Sequence, residues 1–263
     1  MKPFVTLGET KTPNGSRFAL GEHDGEFFLK LNGTQLMSTT STVSELLLAD
    51  LACDFREHRE SPRVLIGGLG LGFSLKRVLE IVGPRATVVV AELWPEVVAW
   101  NQEFLKHING HLLEDKRVEI FVGDVYECIA KAGKLKYDAI LLDVDNGPTS
   151  FVQPQNSRLY GKGGFSLIRQ ALHRSGNVAF WSAEREPIFK ARFAREGFQV
   201  QEVPCKAHER AKRMAHYIYV GEKVDGTVKG AAPQAQKTAA SKGGKASSGK
   251  SARPFRPRPP APR

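Results

Sequence analysis

The sequence predicts an α/β protein. Its centre is a Rossmann-like sheet of seven mostly parallel strands with an antiparallel C-terminal edge hairpin. A small N-terminal β-module precedes the sheet and a disordered basic tail follows it. Three observations carry this. Strand-length apolar runs alternate with helix-period segments through the middle of the chain, as in parallel sheets covered on both faces. The last two strand-like runs have no helix between them, which makes them a hairpin. Turn signals crowd the first forty residues, and after residue 223 the composition collapses to Gly, Ala, Ser, Pro, Lys and Arg. The expected divisions are therefore 1–41, 42–223 and 224–263.

Each element has a local reason. Thr12-Pro13-Asn14-Gly15 is a turn, and residues 26–31 alternate in polarity before Asn32-Gly33, a strong hairpin dipeptide. Thr42 or Ser44 caps a helix running toward Glu57. Strands are expected at 63–66, 87–91, 118–122, 137–142 and 177–181, with helices at 71–81, 95–105, 125–131, 164–172 and 187–195. Pro95 suits the first position of its helix. Residues 199–203 and 216–220 supply the closing hairpin.

Charge and composition exclude several classes. The chain has 263 residues, 38 of them Lys or Arg and 28 Asp or Glu. Nine of the basic residues and one acid lie in 224–263, a net of +8, which leaves +2 for the rest. A uniformly basic globule is excluded, and the tail is expected to be an electrostatic arm for nucleic acid or an acidic partner, or else a solvated segment. No apolar run approaches the roughly 18–20 residues of a membrane span, and no secretory leader is legible at the start. Cys53, Cys128 and Cys205 are odd in number and widely spaced, which suits the reducing cytoplasm. No metal is expected, because His107 and His111 are at helical spacing but Asn109-Gly110 interrupts that helix.

Open parallel sheets bind ligands beyond the carboxyl ends of their strands, so the residues just after each strand carry the information. After the first come Gly68, Gly70 and Gly72, at a spacing typical of nucleoside-binding methyltransferase-type sheets. The dinucleotide fingerprint would need a small residue where Phe73 stands. After the second comes Glu92, which either accepts hydrogen bonds from a ribose diol or is an exposed loop charge, followed by Trp94, which either packs on an adenine face or fills the gap between sheet and helix. After the third comes Asp124, which either accepts the adenine amine or, with Glu127 three residues on, forms a helix capping box. After the fourth comes Asp143-Val144-Asp145-Asn146-Gly147-Pro148; either two carboxylates two apart in extended backbone point the same way and repel unless a cation or shared proton relieves them, or residues 145–148 are simply a turn.

These residues resemble the polyamine aminopropyltransferase (spermidine synthase) family, over about residues 25–220. The resemblance rests on residues 64–79, Glu92, Gly123-Asp124 and 143–148, with residues 31–35 and Glu45 similar to the family's hairpin and gatekeeping region. It implies a donor site for decarboxylated S-adenosylmethionine, with Glu92 on ribose, Asp124 on adenine and Asp143 as the base that deprotonates the attacking amine. Gln35, Glu45 and Asn146 would contact the acceptor, with Asp145 anchoring its cationic end. The family's loop acid falls on Leu71 and its second acceptor-binding Asp on Asn146. A small-molecule amine is the implied acceptor and a homodimer the implied assembly.

Independently of family, displacement at a sulfonium asks the protein mainly to position the reactants and exclude water. An amine acceptor, with an ordinary pKa of about 10.4, needs a carboxylate within hydrogen-bond range to take its proton. Two other readings compete. One is a methyltransferase using S-adenosylmethionine on a small molecule or RNA, with Lys206, His208, Arg210, Lys212 and Arg213 holding phosphates; the other is an inactive nucleic-acid-associated scaffold.

Overall fold

The computed structural model describes residues 3–55, 59–144, 147–148 and 154–224. Two sheets stand within the unit Met1–Thr227. The smaller is an antiparallel meander of β1 (Val5–Lys11), β2 (Arg17–His23), β3 (Glu26–Leu31) and β4 (Thr34–Ser38). Its turns are built as their residues require. Asn32 and Gly33 both take positive φ (50° and 83°), so Leu31 faces Thr34 across a two-residue loop. Asp24-Gly25 turns β2 into β3 the same way, a signal of the same type that the sequence reading passed over.

The larger sheet has the order β10-β11-β9-β8-β5-β6-β7. Its parallel part is β5 (Arg63–Gly67), β6 (Thr87–Glu92), β7 (Val118–Val122), β8 (Tyr137–Leu142) and β9 (Leu172–Ser182). The edge hairpin is β10 (Phe198–Cys205) and β11 (His216–Lys223), with β11 antiparallel to β9. Every residue of β8 is buried, the continuous apolar run that a parallel strand covered on both faces requires.

Helices clothe both faces. One core joins α1 (Val43–Ala52), α2 (Phe73–Ile81) and α3 (Pro95–Glu103) to the sheet through Leu48, Leu75, Val78 and Trp100. The other joins α4 (Val125–Ala130), α5 (Lys162–Ala171) and α6 (Pro187–Arg195) through Ile129, Phe165, Phe189 and Phe193. The small sheet shares the first core: Phe18 lies 5.8 Å from Trp100 and 6.2 Å from Trp94, ring to ring. Gly8 makes this approach fit, since a Cβ there would fall 2.2 Å from the Trp100 indole nitrogen. The hairpin module is thereby fixed against the ligand-facing edge of the large sheet.

Several expected boundaries move, three of them near the site-forming elements. The first helix ends at Ala52, where the Asn177 amide donates to the carbonyls of Ala52 and Asp54 (3.2 and 3.3 Å); Glu57 lies outside the described residues. The second helix starts at Phe73 rather than 71, because Gly70 and Gly72 hold left-handed backbone (φ 54° and 87°). Strand β9 begins at Leu172, five residues early, and absorbs an irregularity at Ser175, whose φ is 57°. The 224–263 tail lies outside the described residues apart from Val224. No helix among the described residues is long and apolar enough to cross a membrane.

Candidate active site

The strand order reverses between β5 and β8, and the Gly-rich loop after β5 opens there into a cavity of about 410 Å³. Gly68 turns with φ 91° against the start of the β8 loop: a Cβ on it would lie 2.7 Å from the Asp143 carbonyl oxygen. This contact, with the Asp143 N–H donating to the Gly67 carbonyl (3.1 Å), sets Asp143 beside the loop. Both Gly68 and Asp143 line the cavity.

Glu92, at the end of β6, is buried and braces the loop. Its Oε2 accepts from the Leu69 N–H (2.8 Å) and its Oε1 from the Trp94 N–H (2.9 Å). Burial raises its pKa, against the opposing pull of these and neighbouring backbone N–H groups. Two asparagines that sequence reasoning missed complete the brace. The Asn101 amide donates to the Gly70 and Val97 carbonyls (both 2.9 Å), and that of Asn109 donates to the Leu71 carbonyl (2.8 Å). Their only sequence signals are a polar residue within α3 for Asn101 and a turn residue for Asn109, which say nothing about a loop partner thirty or more residues away.

Asp124 caps α4, its Oδ1 accepting from the Tyr126 N–H at 2.7 Å. The capping half of its expectation is thus realised, although Glu127 pairs with Lys131 instead of reaching back. Its Oδ2 is paired with Arg158, whose guanidinium lies 4.3 Å from the Tyr126 ring centre; nothing at the sequence level pointed to Arg158. Asp124 lines the cavity even so. Trp94 lines it too while packing on Phe18 of the small sheet.

At the other end stand Gln35 on β4 and Glu45 on α1, with Trp181 and His216 from the ends of β9 and β11. Trp181 and His216 pack ring to ring at 4.9 Å. Neither was singled out: Trp181 lies within β9, one residue before its end, and His216 opens the antiparallel β11, so neither is a residue following a parallel strand. Burial pushes Glu45 up to about 7, although its own N–H and the Ser44 hydroxyl (3.0 Å) pull the other way, and burial lowers His216.

The structure therefore brings Gly68, Gly70, Glu92, Asp124, Asp143, Gln35 and Glu45 to one cavity. Gly72 caps α2 behind the loop, where a Cβ would meet Asn101 and Asn109, and is not among the lining residues. Asp145 and Asn146 lie outside the described residues. Leu71, the position on which the resemblance places the family's loop acid, is 1% exposed and belongs to the core. Of this loop, Gly68 and Gly70 line the cavity, and a Cβ on Gly70 would lie 2.6 Å from the Met37 sulfur. Among the described residues no cluster of His, Cys, Asp and Glu is arranged to hold a metal.

No family model matches the sequence. It is 29% identical to a polyamine aminopropyltransferase of Korarchaeum cryptofilum over 154 residues, covering 58% of this chain and 45% of that protein. It is 26% identical to polyamine aminopropyltransferase 1 of Hyperthermus butylicus over 165 residues, covering 62% and 55%. The chain thus spans about half the length of these curated relatives. Among solved structures, spermidine synthase from Thermotoga maritima superposes with a TM-score of 0.62 at 17% identity, covering 86% of this chain and 75% of that one. A spermidine synthase in complex with the transition state analogue AdoDATO gives 0.61 at 16%, covering 86% and 74%. In sequence the chain is thus similar to polyamine aminopropyltransferases, and in fold to spermidine synthases.

Proposed function

We propose that the chain is an aminopropyltransferase, moving the aminopropyl group of decarboxylated S-adenosylmethionine to the nitrogen of a small-molecule amine. One observation carries the reading: the described cavity lining holds four carboxyl side chains, from Glu45, Glu92, Asp124 and Asp143, and no lysine or arginine. Such a lining favours a cationic sulfonium, a cationic aminopropyl end and a cationic acceptor, and offers no basic side chain to a donor that keeps its carboxylate. The names of the curated relatives point the same way.

In this reading Glu92 accepts the ribose hydroxyls and Asp124 the adenine amine, while Gly68 and Gly70 let the sulfonium approach the backbone. Asp143 accepts the proton of the acceptor ammonium. The freed lone pair forms the new N–C bond as the C–S bond breaks, and the departing electron pair stays on sulfur in methylthioadenosine. Gln35 and Glu45 hold the acceptor's far end. Asp145 and Asn146 are assigned to that end by sequence alone.

The test is a thermal-shift titration with decarboxylated S-adenosylmethionine, S-adenosylmethionine and methylthioadenosine. The first and third are expected to stabilise the protein at least about tenfold lower concentration than the second, since the lining offers the carboxylate no cation. The reverse order refutes aminopropyl transfer and favours methyl transfer; no shift with any of the three favours an inactive scaffold. Asp143→Asn is expected to lower kcat by about 100-fold or more with donor affinity retained. Unchanged turnover removes Asp143 from the role of base.

A further inference from the structure

The loop joining β10 to β11 starts and ends at the cavity, where Ala207 and His216 both line it. Between those points the chain reads His208-Glu209-Arg210-Ala211-Lys212-Arg213-Met214-Ala215, with Lys206 just before. Arg210, Lys212 and Arg213 are exposed, and Lys206 is partly so. None of these four side chains forms a salt bridge or a side-chain hydrogen bond among the described residues. Some cations elsewhere are tied down, as where Arg77 holds Asp50 and Glu80, Arg117 holds Asp115, and Arg158 holds Asp124. Four unpartnered cations within eight residues, against the single acid Glu209, repel one another, an arrangement that an anionic partner relieves.

We propose that this loop is a phosphate-binding surface that docks the backbone of a nucleic acid at the edge of the cavity. The composition selects the partner. Folded protein partners are recognised through an apolar, largely uncharged centre, whereas Met214 is the one large apolar side chain exposed in this loop. A surface that offers charge with almost no apolar area reads a phosphodiester chain, whose contacts position without specifying sequence. The sequence beyond β11 adds a further net +8 over residues 224–263, and so extends the basic run in the chain. The inference is independent of the transfer chemistry, since it rests on no cavity residue.

The experiment measures fluorescence anisotropy of a labelled single-stranded RNA of about 20 nucleotides with the full-length protein, across a salt series. It compares the wild type with the variant K206Q/R210Q/K212Q/R213Q. A second variant, K206R/R210K/K212R/R213K, keeps the charge. Because the arm is common to all three proteins, differences read the loop alone. The glutamine variant is expected to bind at least about tenfold more weakly and to lose roughly two to three from the slope of log affinity against log salt, at about 0.7 per released phosphate contact. The charge-keeping variant should bind within about threefold of wild type. Equal affinity and equal slope for the glutamine variant would overturn the proposal. So would polyglutamate competing as well as RNA at equal charge, which would assign the loop to an acidic protein. Unfolding midpoints of the three proteins, measured alongside, separate loss of charge from loss of fold.

Discussion

Glu45→Gln offers a sharp test of the site's electrostatics. Glu45 is 5% exposed in the first turn of α1 and lines the acidic cavity, and burial moves its pKa from 4.5 to about 7. Its folded pKa therefore lies above its unfolded one. Between the two values the unfolded chain has already lost the proton that the folded protein still holds, so stability falls as pH rises from 4.5 to about 7 and is level beyond. At 1.36 kcal/mol per pH unit this interval is worth about 3 kcal/mol. Glutamine cannot ionise and keeps a similar shape and an acceptor oxygen for the Ser44 hydroxyl. The unfolding free energy of the variant minus that of wild type is expected to be small near pH 5 and to grow by about 2–3 kcal/mol by pH 8. Urea denaturation at four pH values between 5 and 8, followed by far-ultraviolet circular dichroism, measures it directly. Other titrating groups cancel in the difference. Parallel curves for the two proteins would show that Glu45 ionises as freely folded as unfolded, and the reasoning from its burial would fail.

Three further substitutions separate the site from its scaffold. Gly68→Ala places a Cβ 2.7 Å from the Asp143 carbonyl at a φ of 91°; it is expected to cost about 1–3 kcal/mol and to weaken methylthioadenosine binding at least tenfold, and normal binding by calorimetry would contradict the role given to this contact. Asn101→Ala leaves the Gly70 and Val97 carbonyls without their amide donor, at an expected cost of about 1–3 kcal/mol, together with a raised donor KM at little changed kcat. Steady-state kinetics on the donor reads that split, and a fall in kcat alone would sink the bracing role. Gly221→Ala on β11 would set a Cβ 2.2 Å from the Phe193 ring, in the core on the face of α5 and α6. The overpacking is expected to lower stability by about 1–3 kcal/mol while donor affinity holds, so a matching loss of affinity would show that the two faces are coupled.

Much of the architecture was legible because its signals are local. Asn32-Gly33 can hardly do anything but turn, Pro95 opens a helix because its missing N–H costs nothing there, and the all-apolar run of β8 demands cover on both faces. The strand-end rule then located Gly68, Glu92, Asp124 and Asp143, since a parallel sheet presents those positions together whatever lies between them in the chain. What escaped were contacts between side chains and backbone far apart in sequence. No spacing announces that Arg158 will pair with Asp124, or that Asn101 and Asn109 will hold the Gly-rich loop.

The sequence by itself determined the order of strands and helices, the turns between them and the list of acids at the strand ends, because each follows from backbone preference and hydrophobic period within a few residues. Only the tertiary structure decided that the N-terminal sheet closes one side of the cavity, through Phe18 on Trp94 and Trp100. The same packing decided that Leu71 turns into the core while Gly70 lines the cavity, and that Glu45 is buried deeply enough to raise its pKa to about 7. Burial and facing are properties of how separate elements meet. The free energy that sets them is shared among residues too distant in the chain for any local pattern to record.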